Sequence, residues 1–210
     1  NLPPMAFVDK EGNVAGNAID LLLAVGRVAG FKAEFKIGKG ALVEGLQAGQ
    51  YDAICSSAFL DEEARKSMDI SSPYHIANQV LVVNQDTRID STTSMQGLSI
   101  GVLAGGTAPP QGARIKVFND IAKAMEGLYV NRLDGVICDD TVAAYFASVI
   151  YQNRLKVTGY LGQGDRRIFH GVAVKKDDKE VLALLNQGIS TVQAREIDKE
   201  LMGWVKQAYD

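Results

Sequence analysis

The fold is decided by two stretches that align without a gap, Leu46-Gln-Ala-Gly49-Gln-Tyr-Asp-Ala-Ile-Cys-Ser-Ser57 and Leu128-Tyr-Val-Asn131-Arg-Leu-Asp-Gly-Val-Ile-Cys-Asp139. In each stretch a helix is predicted to end at a residue suited to the left-handed conformation, Gly49 or Asn131. One acidic residue and an apolar strand then follow. An internal repeat of this kind indicates that the chain contains two similar halves.

Helices and strands alternate around both stretches, which predicts an α/β fold with mainly parallel sheets. The first half is predicted to contain helices over 17–29, 42–48 and 62–68 and strands over 33–37 and 53–56. The second is predicted to contain strands over 99–103, 115–118, 135–138 and 155–158 and helices over 120–130, 141–151, 179–194 and 196–209. On the first helix, the residues expected to face the core are Ile19, Leu22, Leu23 and Val28.

Two further strand-like segments, 78–83 and 171–174, flank the second half and are expected to be two crossings between lobes. Residues 1–78 and 171–210 would then form a discontinuous first lobe, and residues 79–170 the second lobe. Ligands of open α/β sheets bind beyond the carboxyl ends of the strands. We therefore expect a ligand cleft between the two lobes.

The composition excludes several classes of protein. The 210 residues are 47% hydrophobic with a net charge of −3, which predicts a soluble globular protein and offers no basic surface for nucleic acid. No apolar run reaches the roughly 18 residues of a membrane helix and no leader opens the sequence, so the chain is expected to be mature, cytosolic or excised from a longer protein. Cys55 and Cys138 are expected to be small buried hydrophobes rather than a disulfide.

Polar residues stand at the predicted carboxyl ends of the repeated strands, Ser56 and Ser57 in one half and Asp139 and Asp140 in the other. Facing strand ends would present hydroxyl donors from one lobe and a carboxylate from the other. Because helix N-termini commonly carry Asp as a cap, one aspartate is expected to cap the next helix and the other to reach the ligand. A carboxylate in the cleft favours a ligand with a cationic or hydrogen-bonding group.

The segment Gly101-Val-Leu-Ala-Gly105-Gly-Thr107 follows a strand and offers backbone N–H groups. It has neither Gly-Lys-Ser/Thr nor the dinucleotide glycine spacing, so a tight turn and a ligand loop are both open readings.

The two histidines, His75 and His170, lie near the predicted crossings, away from Ser56 and Asp139. Hinge packing is the role predicted for both. Neither a catalytic triad nor a metal site is expected from so few ligand residues, and no cofactor is predicted.

Segments along nearly the whole chain carry a family resemblance. Asp69-Ile-Ser-Ser-Pro-Tyr74 and Gly171-Val-Ala-Val174 are examples, and segments 3–12, 16–21, 46–57, 101–107 and 133–144 accompany them. Their joint order and spacing are similar to the periplasmic solute-binding proteins of family 3, the polar amino acid type, which have the type II periplasmic binding fold. The resemblance implies a non-catalytic, periplasmic or extracytoplasmic protein whose two lobes close over a small polar solute.

The resemblance also implies roles for individual residues. Asp139 falls where the family holds the ammonium group of its ligand. The other matching ligand contacts are Ser56 and Ser57 in the first lobe and Leu103, Gly105 and Thr107 in the second.

The chain departs from the family pattern at three ligand positions. The arginine that clamps the ligand carboxylate falls at Ala64, and Arg65 is one residue away, which on a helix rotates the side chain by roughly 100°. Lys39 replaces the usual aromatic shelf, and Phe59 replaces a small polar residue. Lys39 could supply the missing positive charge or be a solvated loop lysine. We expect an altered ligand, with Lys39, Phe59 and Arg65 among its contacts.

The altered pocket and the absence of the family's first strand favour the sensor domain of a membrane-bound receptor such as a histidine kinase. The alternative is the solute-binding component of an ABC transporter, with a permease as its partner. A second alternative is a dehydratase-like enzyme on the same fold, with Asp139 or Glu44 as the acid.

Overall fold

The structure is a computed structural model that describes residues 2–38, 42–55, 66–90, 93–104, 111–160 and 167–194. The described residues divide into two compact units. The central unit comprises Ala77–Ile168 with residues 2–4, and the N-terminal unit comprises Met5–Ile76 with residues 169–194. Within the described residues, the chain passes from one unit to the other at three points: between Pro4 and Met5, between Ile76 and Ala77, and between Ile168 and Phe169.

The central unit is built on a six-stranded sheet. One of its strands begins in the N-terminal unit, and another ends there. Its strands are β5 (His75–Asn84), β6 (Ser99–Leu103), β7 (Arg114–Phe118), β8 (Gly135–Asp139), β9 (Leu155–Tyr160) and β10 (Arg167–His170). The order is β10-β5-β8-β6-β7, and β9 also pairs with β5. β6 runs parallel to β7 and β8, whereas β5 runs antiparallel to β8 and β9.

Two helical segments accompany this sheet. Helix α3 (Ile121–Tyr129) begins where the Asp120 carboxylate accepts a hydrogen bond of 2.8 Å from Ala122 N. Helix α4 (Asp140–Ala144) starts directly after β8 and continues as a π-helical turn, Tyr145–Ile150. The core beneath the sheet is formed by alternate apolar residues of its central strands, including Leu81, Val83, Ile100, Val102 and Ile137.

The N-terminal unit contains two small sheets and three helices among the described residues. A two-stranded ribbon joins β1 (Phe7–Val8) to β2 (Val14–Ala15), and a three-stranded sheet has the order β3-β11-β4. The strands of the latter are β3 (Ala53–Ile54), β4 (Met68–Ile70) and β11 (Ala173–Lys175), and β11 is antiparallel to both neighbours. The helices are α1 (Asn17–Ala29), α2 (Leu42–Gln47) and α5 (Lys179–Gln193), and α1 packs on α5.

The internal repeat is confirmed in the described residues. Gly49 has φ = 70° and Asn131 has φ = 58°, so both helices end in the left-handed conformation that the sequence predicts. Gln50 N donates to Gly45 O at 2.9 Å, and Arg132 N donates to the matching Gly127 O at 2.8 Å. The two copies therefore share one helix-ending turn, and each leads into a strand.

The sheets are mixed, so the prediction of mainly parallel sheets is wrong. Among the strand pairs of the described residues whose direction is known, the parallel ones are β6 with β7 and β6 with β8, which lie close to one another in sequence. The strands that enter from distant parts of the chain, β5 and β11, pair antiparallel. This direction is set by tertiary connections that local patterns do not encode.

Several element boundaries also differ from the predictions. Residues 31–38 belong to no strand, although their exposure alternates, because a strand requires a partner for its backbone groups. Met68 was predicted to be the last residue of a helix, but it is the first residue of β4 and pairs with Lys175 of β11. The strand predicted over 171–174 begins at Ala173. Two predicted segments lie outside the described residues. These are residues 62–65 of the helix predicted over 62–68 and the whole of the helix predicted over 196–209.

The core face of α1 is slightly rotated from the predicted face. The helix has the predicted bounds, and Ile19 and Leu22 are buried as expected. Leu23, in contrast, is 38% exposed. Because each residue turns the helix by about 100°, Leu23 falls outside the stripe formed by the buried residues. These are Ala18, Ile19, Leu21, Leu22, Val25 and Gly26.

Candidate functional site

The carboxyl ends of β6 and β8 lie side by side at one edge of the central sheet. The strands are parallel, with Ile100 opposite Gly135 and Gly101 opposite Val136. This register places Leu103, the last residue of β6, close to the end of β8, where Asp139 stands. Two residues predicted to contact a ligand therefore share the edge at which α/β sheets bind their ligands.

Asp139 is both the last residue of β8 and the N-cap of α4. Its side chain is 5% exposed, and its Oδ1 accepts a hydrogen bond of 2.6 Å from Val142 N. The sequence analysis expected one aspartate to cap the helix and the other to reach the ligand. The structure shows that Asp139, the residue that the family resemblance places at the ligand, is the cap, so the expected division of roles between the two aspartates is not found.

Gln79 is a polar residue of this edge that the sequence analysis missed. It stands directly opposite Asp139 in the antiparallel β5–β8 pair and is only 2% exposed. Opposed residues of an antiparallel pair project from the same face, so Gln79 and Asp139 lie on one side of the sheet. The available signal was a lone glutamine at the start of an otherwise apolar run, Val80–Val83.

Asp140 does not cap the helix but binds a neighbouring amide. Asn78 Nδ2 donates to Asp140 Oδ2 at 3.0 Å, and Asp140 is 4% exposed. Asn78 lies beside Gln79 on β5, and Asp140 is the first residue of α4. This side-chain bond connects the strand to the helix, and the sequence analysis did not predict it.

Most of the predicted ligand contacts lie outside the described residues. These are Lys39, Ser56, Ser57, Phe59, Arg65, Gly105 and Thr107. The same holds for Ala64, which stands at the position of the expected arginine clamp. Their roles stay predictions. Glu44, the second acid considered for an enzyme, lies exposed on α2.

His75 and His170 form an aromatic cluster in the N-terminal unit. Their ring centroids are 5.3 Å apart, and the ring of Tyr74 lies 6.4 Å from that of His170. His75 is buried, and His170 is fully so. Each histidine lies close in sequence to a point where the chain leaves the unit, and both pack against aromatic neighbours.

Both cysteines are free thiols. Burial, followed by the charges of Asp139 and Asp140, raises the pKa of the Cys138 thiol well above its ordinary value. Burial also raises the pKa of Cys55. Thiols with raised pKa values are poor nucleophiles and poor metal ligands. In the part of the chain that the structure describes, no three His, Cys, Asp or Glu residues form a group that could hold a metal ion.

Two α/β units between which the chain passes more than once, with polar residues at the carboxyl edge of the central sheet, define a binding protein of the type II periplasmic fold. An ancestral arginine-binding protein, solved with bound arginine, has a TM-score of 0.78 to this chain and 27% sequence identity. The comparison covers all of this chain and 94% of that protein. The predicted fold is therefore confirmed.

The family model of the bacterial extracellular solute-binding proteins, family 3, matches residues 1–207, and the chain belongs to this family. A probable histidine-binding protein of Neisseria gonorrhoeae is 27% identical in an alignment of 208 positions that covers 93% of this chain and 76% of that protein. An ABC transporter arginine-binding protein of Escherichia coli K12 is 26% identical in an alignment of 204 positions that covers 91% of this chain and 82% of that protein.

The predicted family resemblance is thus confirmed, and the two relatives described above are binding proteins. Family members are extracellular solute-binding proteins. Within the described ranges, no helix combines the length and apolar character required to cross a membrane.

Proposed function

We propose that this chain binds an amino acid in the periplasm or another extracytoplasmic compartment and delivers it to the permease of an ABC transporter. The observation that carries the proposal is Asp139, a buried carboxylate held by a helix cap at the carboxyl edge of the central sheet. The α-ammonium group of an amino acid presents three donors and a positive charge, which complement such a carboxylate.

The surroundings of Asp139 favour a neutral or cationic amino acid over an acidic one. Asp139 is itself a buried carboxylate, and Gln79 adds an uncharged amide on the same side of the sheet. A ligand with an additional negative charge would meet like charges in a poorly screened environment. The two relatives described above are a probable histidine-binding protein and an arginine-binding protein, which supports the same class.

The relatives support a transporter component over a sensor domain. The sequence analysis favoured the sensor because the predicted pocket is altered. The E. coli relative is named as an ABC transporter protein, and no named relative is a receptor. In the proposal, residues 1–78 with 171–210 and residues 79–170 are the two lobes that close over the ligand, and Lys39, Ser56, Ser57, Phe59, Arg65, Leu103, Gly105 and Thr107 contribute contacts.

The binding part of the proposal is tested by thermal shift and isothermal titration with arginine, histidine, glutamine and glutamate. A ligand that binds only the native state raises its Tm. Asp139→Asn keeps a cap acceptor but loses the charge, so we expect binding to weaken by about 2 kcal/mol or more. Asp139→Ala loses both, with a further stability cost of about 1 kcal/mol.

Asp120→Ala is the matched control, because Asp120 caps α3 in the same unit through a comparable bond. It should lose stability to a similar extent and still bind the amino acid. Binding of glutamate in preference to arginine, histidine and glutamine, or equal affinity in wild type and Asp139→Asn, would contradict the proposed site.

The transport part is tested in the source organism by deleting the gene and measuring uptake of the radiolabelled amino acid identified above. Reduced uptake, restored by wild type but not by Asp139→Asn, supports the transporter role. Unchanged uptake contradicts it.

A further inference from the structure

Asn78 is connected to the candidate ligand carboxylate through one intermediate residue. Its Nδ2 donates to Asp140 Oδ2 at 3.0 Å, and Asp140 directly follows Asp139. Asn78 is half-buried and Asp140 is buried, so water competes poorly for this bond. Hydrogen bonds to ionised groups in such settings are stronger than those between neutral groups.

The geometry keeps this bond separate from the face on which Asp139 lies. Gln79 stands opposite Asp139, so their side chains project from one face of the sheet. Asn78 precedes Gln79 on β5, and successive strand residues point to opposite faces. The Asn78 amide therefore lies on the other side and acts on Asp140 rather than on a ligand held by Asp139.

The bond restrains the junction at which β8 becomes α4. Asp139 Oδ1 bonds to Val142 N, one turn into the helix, so the direction of the carboxylate depends on where that first turn begins. Asp140 is the first residue of the turn and is tied to β5 by Asn78. α4 has only five α-helical residues before the π-helical turn, so a tether at its first residue restrains a large part of it.

We infer that Asn78 is a positioning residue: by holding Asp140 in place, it orients the Asp139 carboxylate toward the ammonium group of the ligand. This inference rests on the proposed function. It assigns to the Asn78–Asp140 pair a role in affinity that acts through geometry, not through the charge of Asp140.

The test is a double-mutant cycle on the full chain, with Kd measured by titration of L-arginine, L-histidine and L-glutamine. Asn78→Ala and Asp140→Ala should each weaken binding about ten-fold, mainly through faster dissociation, and the double variant should be no weaker than either single variant. Asp140→Asn keeps an oxygen that accepts from the Asn78 amide, so it should bind nearly as well as wild type. Asn78→Ser, whose side chain is too short to span the contact, tests the bond in a second way.

Asn84→Ala is the matched control. Asn84 lies on the same strand, and its Nδ2 donates to Leu128 O at 2.7 Å, far from the β8–α4 junction in the strand register. It should leave Kd unchanged.

The outcomes separate the two hypotheses. If wild type binds one of the three amino acids and the Asn78 and Asp140 variants bind equally well, the positioning role is overturned and the proposed function stands. If Asp140→Asn is as weak as Asp140→Ala, the charge matters instead of the tether, and the inference fails. If wild type binds none of the three, both the inference and the proposed function fail.

Discussion

Gly188 of α5 lies so close to Val25 of α1 that a Cβ atom at position 188 would stand 2.5 Å from Val25 Cγ1. The same atom would be 3.2 Å from Val25 O and 3.3 Å from the Cβ of Ala29. Val25 is fully buried, so it has little space into which to move. The absence of a side chain at Gly188 is what allows the two helices of the N-terminal unit to pack at this distance.

Gly188→Ala should therefore destabilise the protein, although alanine is the better helix former. The expected loss is about 1–3 kcal/mol from overpacking, reduced by up to about 1 kcal/mol of helix propensity. Gly127→Ala on α3 is the matched control, because its Cβ would meet nothing closer than 3.4 Å. It should be neutral or stabilising. Urea unfolding followed by circular dichroism measures both, and equal stability of Gly188→Ala and wild type would refute the packing argument.

Cys138 should resist alkylation in the native protein. Burial and the neighbouring charges of Asp139 and Asp140 raise the pKa of its thiol, so little thiolate forms near neutral pH. We expect iodoacetamide at about pH 8 to label Cys138 at least about ten-fold more slowly in the native than in the unfolded protein. Mass spectrometry of peptic fragments gives the rate at each cysteine. Guanidinium-unfolded protein, in which Cys55 and Cys138 should react alike, provides the control.

An ion pair joins β4 to the turn after β11. Lys176 Nζ lies 2.8 Å from Asp69 Oδ1, and Asp177 N donates to Asp69 Oδ2 at 2.8 Å. The Lys176 ammonium, followed by the Asp177 amide, lowers the pKa of Asp69. Asp69 in turn raises the pKa of Lys176. Folding thus favours the charged form of both side chains.

These two pKa shifts determine how the stability of the protein changes with pH. The contribution of Asp69 to the free energy of unfolding is fully present above the ordinary aspartate pKa of about 3.9. It is lost as the pH falls through the lower pKa that Asp69 has in the folded protein. The contribution of Lys176 is fully present below the ordinary lysine pKa of about 10.4. It is lost as the pH rises through the higher pKa that Lys176 has in the folded protein. Asp69→Asn should lower Tm at neutral pH, and the difference from wild type should shrink in acid.

Calorimetry over a pH series measures this difference. Glu34→Gln is the control, because the Lys32–Glu34 pair is largely exposed on both sides and should contribute little. A Tm difference for Asp69→Asn that stays constant into strong acid would exclude the ion pair as its cause.

The sequence was sufficient for features that depend on neighbours along the chain. The bounds of α1 and β6 agree with their predicted bounds, and Gly49 and Asn131 adopt the left-handed conformation expected of helix ends. The sequence predicted in the same way that Asp139 or Asp140 caps the helix after β8, because an aspartate between a buried strand and a helix is a local signal. Hydrophobic period and capping chemistry act over a few residues, so one sequence displays them directly.

The tertiary structure decided everything that depends on distant segments meeting. Residues 31–38 have an alternating pattern of exposure but belong to no strand. Met68 was predicted to lie in a helix but lies in β4 and pairs with Lys175 of β11. The bond between Asn78 and Asp140 joins residues 62 positions apart. Strand partners and buried side-chain bonds are chosen when the whole chain packs, because each polar group must find its partner in space and local sequence does not say which one that is.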